Sequence, residues 1–203
     1  MKLYDMELSG NCYKVRLLCS LLGLTYESQP VDLSQGEHKT PAFLKLNPRG
    51  QVPVLDDDGV TIWDSSAILL YLARRYGNER WLPAEAKAMA EVMQWMSLSQ
   101  NEILYGLARA RAVMKFDRTW NIEACHILGN QALTVLEQGL DDNDWLAGDE
   151  ANIADIACYP YVALAPEGGF ALEAYPAVGA WLRRMEDLPG YVTMPGIANI
   201  RRI

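Results

Sequence analysis

Apolar positions recur along this chain with two different periods, and the change between them falls near residue 80. Before it, short apolar runs alternate with helical spacing. Lys2 to Met6 reads as a strand. Val15, Leu18, Cys19 and Leu22 fall at i, i+3, i+4 and i+7, which predicts a helix over 11–22 that Gly23 stops. Tyr26 to Val31 reads as a second strand, and Pro41-Ala42-Phe43-Leu44 as a short helix. Val54-Leu55 and Val60 to Trp63 flank Asp57-Asp58-Gly59, a hairpin signal because glycine accepts positive φ. Asp64-Ser65-Ser66 then precedes a helix with Ile68, Tyr71, Leu72 and Tyr76 on one face, closed by Gly77. The order β-α-β-α-β-β-α describes a small α/β unit over residues 1–77.

Residues 78–86, with Trp81-Leu82-Pro83, read as a linker, and residues 87–203 as an all-helical unit. Met89, Val92, Met93 and Met96 share one helix face that Ile103, Leu104 and Leu107 continue. Ile122, Cys125, Gly129, Ala132, Leu133, Leu136 and Leu140 define a second long helix, closely packed at Gly129 and Ala132. Asp141 to Gly148 reads as a loop. Asn152 with Asp155 three residues on resembles a capping box, and Pro160 predicts a kink in the helix that follows. Tyr175-Pro176 opens a last helix with Val178, Trp181, Leu182 and Met185 inward, and the chain from Pro189 on reads as irregular.

Composition narrows the setting. Half of the 203 residues are hydrophobic, enough for a sizeable core, and the net charge of −8 argues against a nucleic-acid surface. No apolar run is long enough to span a membrane and no signal-peptide pattern opens the chain. Four cysteines without paired spacing do not make a disulfide framework, and two histidines away from any cysteine pair argue against a metal site. These features predict a cytoplasmic protein.

The densest chemistry lies at Ser9-Gly10-Asn11-Cys12, where the first strand runs through a loop into the first helix. A helix N-terminus concentrates unpaired N–H groups and positive dipole, which favours an anion. Here a hydroxyl, an amide and a thiol stand at that point, although Ser9 and Asn11 also suit simple capping.

Four motifs in order carry a family resemblance over nearly the whole chain. They are Ser9-Gly10-Asn11-Cys12, Asn47-Pro48-Arg49-Gly50-Gln51-Val52-Pro53-Val54-Leu55, Trp63-Asp64-Ser65-Ser66-Ala67-Ile68, and Asn152-Ile153-Ala154-Asp155-Ile156-Ala157. Together they resemble the cytosolic glutathione S-transferases, in the bacterial, serine-type, theta/delta-like form. The resemblance implies a thioredoxin-like N-terminal α/β domain, an all-α C-terminal domain, a homodimer, and glutathione as cosubstrate with no bound cofactor.

The resemblance also implies roles. Val52 pairs its backbone with the cysteinyl backbone of glutathione, next to a cis Pro53. Asp64 and Ser65 meet the γ-glutamyl end, Ser65 by donating to the carboxylate and Asp64 by accepting from the ammonium. His38 lies near the glycine carboxylate, with Lys39, Arg49 and Gln51 as further groups in reach. Ser9 matches the catalytic serine that stabilises the glutathione thiolate, and Asn11 offers a second donor. Cys12 stands where redox relatives carry one of two cysteines. With Ser9 in place of the other, dithiol exchange is disfavoured, and Cys12 reads either as a packed helix residue or as a thiol open to mixed disulfides. Tyr105, Arg109 and Phe116, with Arg111 nearby, are candidates for the wall of an electrophile pocket between the two units. Each also suits a plain structural place, the aromatics as core and the arginines as solvated surface. Conjugation to a small electrophile is the expected activity. Glutathione-dependent reduction of a peroxide or disulfide, and ligand binding without catalysis, are the alternatives.

Overall fold

The computed structural model describes residues 1–197. Four strands, β1 (Lys2–Asp5), β2 (Glu27–Pro30), β3 (Val54–Asp57) and β4 (Val60–Trp63), form one sheet in the order β2-β1-β3-β4. β1 and β2 run parallel with Lys2 opposite Glu27, so a crossover must join them, and helix α1 (Gly10–Leu21) supplies it. β3 runs antiparallel to β1 with Leu3 opposite Leu55, and β4 returns beside β3. Asp58 and Gly59 have φ of 52° and 91°, the paired positive values of a type I′ hairpin. β2 is exposed at all four positions and ends in Pro30, as suits an edge.

α1 is buried on nearly every side. The sequence face of Val15, Leu18 and Cys19 is inside, and so are Cys12, Tyr13, Lys14 and Leu17. One flank packs on α3 (Ser65–Tyr76), the other on α7 (Ile153–Ala163), which is itself buried at every residue. A helix clasped from both sides has no single apolar stripe, which is why periodicity shows only part of its core. Between β2 and β3 the chain forms a three-residue 3₁₀ turn (Glu37–Lys39) and α2 (Pro41–Leu46), capped by Thr40.

The helical half opens with α4 (Ala86–Leu98), whose first-turn N–H groups are taken by the Glu85 carboxylate. It continues without a break through a π-helical stretch (Ser99–Ala108) into α5 (Arg109–Phe116). The predicted helix therefore runs further, to Phe116, and stops where Asp117 turns to φ 51°. The wide π turn was not legible in the apolar spacing. α6 (Ile122–Leu140) crosses it so closely that a Cβ on Gly106 would lie 2.3 Å from the backbone nitrogen of Gly129. The sequence pointed to Gly129 and Ala132 but not to Gly106 as the partner. α7 continues through Pro160 as helix, and α8 (Pro176–Glu186) buries Val178, Trp181, Leu182 and Met185 as its pattern predicts. Pro189 to Ile197 holds no regular element; the rest of that predicted irregular segment lies outside the described residues.

Asp155 organises the start of α7. It is fully buried, accepting from the N–H groups of Leu146 (3.1 Å) and Asn152 (3.0 Å) and from Trp181 Nε1 (2.9 Å), while Asn152 Oδ1 accepts from Ala154 N. Removing the carboxylate leaves three buried donors without an acceptor, each costing about 1–3 kcal/mol. We expect Asp155→Ala to lower the unfolding free energy by at least about 3 kcal/mol, read from the urea midpoint at constant slope.

Lys14 is 1% exposed and projects from α1 toward the helical half. Its ammonium donates to Ser99 Oγ (3.1 Å), whose hydroxyl donates to the carbonyl of Ala157 (2.7 Å), and it lies 5.5 Å from the Tyr161 ring centre. Burial pushes its pKa down from 10.5 to about 8, against the opposing pull of Cys158 and Asp64. Between those values the unfolded chain holds a proton that the folded chain has released, so stability contributed by this group rises with pH. Lys14→Met should raise stability at about pH 7, where the buried charge is costly, and flatten the rise toward about pH 9.5. Urea unfolding at both pH values checks it; a less stable variant with the rise intact would contradict it.

Candidate active site

The loop between β1 and α1 brings Ser9 to the N-cap of the buried helix. Its extended backbone (φ −79°, ψ 118°) turns the side chain over the first turn, and Oγ accepts the N–H of Cys12 at 3.2 Å. The hydroxyl accepts rather than donates in that contact, so its own proton is free to point outward. Asn11 follows in the first turn, half-buried, and its Oδ1 has no partner. The Tyr161 ring lies against the neighbouring Gly10; a Cβ there would stand 2.7 Å from the ring. Tyr161 thus shapes the loop from α7, and nothing in its local sequence signals this. Cys12 is fully buried, and loss of hydration pushes its thiol up to about 12. Of the two sequence readings, burial matches the packed helix residue.

A second loop faces outward before β3. The Val52–Pro53 peptide is cis, as the family resemblance implied, and Val52 makes no backbone hydrogen bond among the described residues. Its N–H and C=O are therefore available to an extended peptide. Gln51 is exposed, with its carbonyl held by Asn47 Nδ2 at 2.7 Å.

Asp64 caps α3 with φ 77° and ψ 127°, a sparsely populated backbone region for a non-glycine residue. Oδ1 accepts the Ser66 N–H (3.0 Å), and Oδ2 meets Arg49 Nη1 (3.2 Å). Ser65 opens the helix, 3% exposed, and its hydroxyl has no hydrogen-bond partner among the described residues. Ser66 Oγ accepts from Gln100 Nε2, which ties this helix start to the π-helical stretch.

His38 sits in the 3₁₀ turn with Nδ1 buried and unpartnered, its pKa lowered by burial first and then by Lys39 and Arg118. Lys39 is also engaged with the backbone of the neighbouring loop. Its ammonium donates to the carbonyls of Arg49 (3.2 Å) and Gly50 (3.0 Å), bracing the turn that leads to Pro53. Gly50 is at φ 58° with His38 O and Lys39 Nζ each 2.8 Å from where a Cβ would be.

The electrophile-pocket candidates separate. Phe116 lines an open cavity of about 920 Å³ together with Met6, Leu8, Leu33 and Met194, beside the Ser9 loop. Tyr105 and Arg109 are not among its described lining residues. Arg109 stacks between the rings of Tyr105 (4.3 Å) and Trp120 (5.0 Å), and Tyr105 is 40% exposed, so it is surface rather than core. Arg111 is the reverse correction: the sequence suggested solvated surface, and it is buried, since it pairs with Glu167 and reaches the Leu8 carbonyl. Among the described residues, no cluster of histidine, cysteine or carboxylate side chains is suited to hold a metal, and no helix is long and apolar enough to cross a membrane.

Comparison with known proteins agrees with this architecture. The glutathione S-transferase N-terminal domain model matches residues 3–80, and the C-terminal domain model matches residues 128–189. The chain is 35% identical to a maleylacetoacetate isomerase from Pseudomonas aeruginosa over 93% of this chain and 90% of that protein. It is 33% identical to glutathione S-transferase 3 of Zea mays, over 94% of this chain and 91% of the relative. The crystal structure of a glutathione S-transferase from Pseudomonas fluorescens superposes with a TM-score of 0.90 at 40% identity, covering 96% of this chain and 98% of that one. A glutathione transferase homologue from Drosophila mojavensis, solved with bound glutathione, superposes at 0.84 with 27% identity over 93% and 88% of the two chains. A thioredoxin-like sheet domain with a cis-proline loop, a helical second domain, and these matches along both halves make one conclusion: the chain belongs to the cytosolic glutathione S-transferase family and is a glutathione-dependent enzyme.

Proposed function

We propose that this enzyme transfers glutathione to a small electrophile, activating the thiol as a thiolate through Ser9. The observation that carries the reading is the Ser9 hydroxyl itself. It accepts from Cys12 N–H at the N-cap of α1, and its proton is left to donate to a sulfur outside. A thiol of ordinary pKa, about 8.5, is only a few per cent thiolate at neutral pH. Lowering it by about 2 units means stabilising the anion by about 2.7 kcal/mol. A hydrogen bond to an anion contributes about 1.5–3 kcal/mol and the helix N-terminus about 0.3–2 kcal/mol, so no general base is required. The thiolate then attacks the electrophilic centre, forms the carbon–sulfur bond and expels the leaving group or generates an adduct anion.

In the same reading, glutathione lies along the outward loop. Val52 pairs with its cysteinyl backbone next to Pro53. Ser65 donates to the γ-glutamyl carboxylate at the N-terminus of α3, and Asp64 accepts from the γ-glutamyl ammonium. His38 receives the glycine carboxylate, with Lys39 and Gln51 at its edge. Asn11 is the secondary thiolate donor. Phe116 and the cavity beside the Ser9 loop take the electrophile. The burial of Cys12 supports transfer over disulfide reduction. A cytoplasmic setting, and the division into residues 1–77, a linker at 78–86 and residues 87–203, belong to this reading.

Thiolate absorbance against pH, with glutathione affinity measured alongside, checks the assignments. Ser9→Ala should raise the bound-thiol pKa by about 1–2 units and lower neutral-pH activity about ten- to a hundredfold, with partial recovery at high pH. Asn11→Ala should give a smaller version and Cys12→Ala little. Ser65→Ala should weaken glutathione binding and raise KM with little change in thiol pKa. A swap of the Ser9 and Asn11 effects, or loss of activity in Cys12→Ala alone, would overturn the mechanism.

We further propose a homodimer. Met96 of the Met-rich face is buried in the chain's own core and Met89 is partly buried against it, but Met93 is 44% exposed, and Leu70 on α3 and Trp63 on β4 are also exposed apolar groups. Sedimentation at micromolar concentration should give twice the 22.7 kDa chain mass; a particle of 22.7 kDa would refute it.

A further inference from the structure

The loop that carries Ser9 is held by two arginines from opposite halves of the molecule. Arg16, on α1, donates to the carbonyls of Met6 (3.4 Å) and Glu7 (2.8 Å) and pairs with Asp5. Arg111, on α5, donates through Nη1 to the carbonyl of Leu8 at 2.9 Å. The Leu8 carbonyl and the Ser9 N–H belong to one rigid peptide plane. That plane is therefore pinned at both edges, by Arg111 at the oxygen and by the Met6 carbonyl at the Ser9 nitrogen (3.0 Å). With the Cys12 N–H fixing Oγ, little freedom remains in the direction of the Ser9 hydroxyl.

Arg111 is itself tightly placed. Only 3% of it is exposed, its guanidinium lies 5.2 Å from the Phe116 ring centre, and Nε donates to Glu167 Oε2 at 2.5 Å. The second oxygen of Glu167 is paired with Lys115. Gly196 then closes over that carboxylate so nearly that a Cβ would sit 2.5 Å from Oε1. Leu8 and Phe116, on either side of the guanidinium, both line the open cavity. Beside the Tyr161 ring that covers Gly10, the helical half thus holds the Ser9 loop by a hydrogen bond from Arg111, with the Glu167 carboxylate behind it.

We propose that Arg111 is a positioning residue for the transfer reaction: through the Leu8 carbonyl it holds the Ser9 hydroxyl in line with the glutathione sulfur. The proposal rests on the reading of Ser9 as thiolate donor. It requires Arg111 to act on the chemistry through Ser9 and not on glutathione binding.

The test is a double-mutant cycle between Arg111→Met and Ser9→Ala, read by the bound-thiol pKa, the rate at saturating glutathione and the glutathione affinity. Arg111→Met should raise the thiol pKa by about one unit or somewhat less, lower the neutral-pH rate about three- to tenfold, and leave affinity within about twofold. In the Ser9→Ala background it should add no further shift. Glu167→Gln keeps the arginine but loosens it, and should give a smaller rise of the same sign. It is the variant to read if Arg111→Met does not fold. A full shift persisting without the Ser9 hydroxyl means that the guanidinium charge acts on sulfur directly, and overturns positioning. So does an unchanged pKa in the Arg111→Met and Glu167→Gln variants, or a loss of affinity in proportion to rate. If Ser9→Ala alone leaves the thiol pKa unmoved, the Ser9 reading fails; if Ser9→Ala shifts it and Arg111→Met does not, only the anchor fails.

Discussion

The burial of α1 on both flanks is the constraint from which the rest follows. Its side chains pack against α3 and against α7, and Leu17, Leu18, Tyr13 and Val15 are all withdrawn from water. Each such residue contributes about 1.5–3 kcal/mol of transfer free energy, and losing either neighbour would expose half the helix. A helix used up along its length can offer chemistry only at an end. Its N-terminus emerges beside the loop of Ser9, where unpaired N–H groups and the dipole meet an outside anion. The position of the Ser9 loop is thus a packing consequence before it is a chemical one.

The same arrangement explains why polar side chains, rather than apolar area alone, join the two halves near the site. Lys14 reaches Ser99, Gln100 reaches Ser66, Arg111 reaches Leu8, and the Tyr161 ring covers Gly10. Two of these partners, Ser99 and Gln100, begin the π-helical stretch, and Arg111 follows shortly after its end. Departures from α-helical geometry of this kind commonly accompany functional sites. Directional contacts fix angle as well as distance, which apolar contacts do not. In the proposed role of Ser9, a hydroxyl that meets a sulfur atom with hydrogen-bond geometry benefits from that difference.

Asp64 and the loop before Pro53 apply the same logic at the proposed glutathione site. Asp64 holds a positive φ that its two hydrogen-bonded oxygens maintain, and this leaves Ser65 at the open end of α3. Lys39 braces the turn at Gly50 from the neighbouring 3₁₀ turn. Backbone groups that bind a ligand must stay unpaired within the protein, so the loop bearing them needs support from side chains instead.

Much of this was legible in the residues. The strand, hairpin and helix order, the inward face of α8, the capping of α7 and the strand-loop-helix entry at Ser9 each follow from local spacing and from Asp, Asn, Ser or Gly at a position where backbone geometry demands it. Four spaced motifs carried the family. What sequence alone left open was decided by contacts between segments far apart in the chain. Arg111 and Lys14 carry charge, and charge suggests solvent unless a distant partner makes burial tolerable; Glu167 and Ser99 are those partners. Cys12 could have been exposed or packed, and α7 decided it by covering the first turn of α1. Tyr105, conversely, turned outward because Gly106 and Gly129 bring the helices together on another face. Local sequence fixes φ, ψ and apolar spacing, which are properties of a few neighbouring residues. Whether a polar group is buried and satisfied depends on which distant element arrives beside it, and only the folded chain decides that.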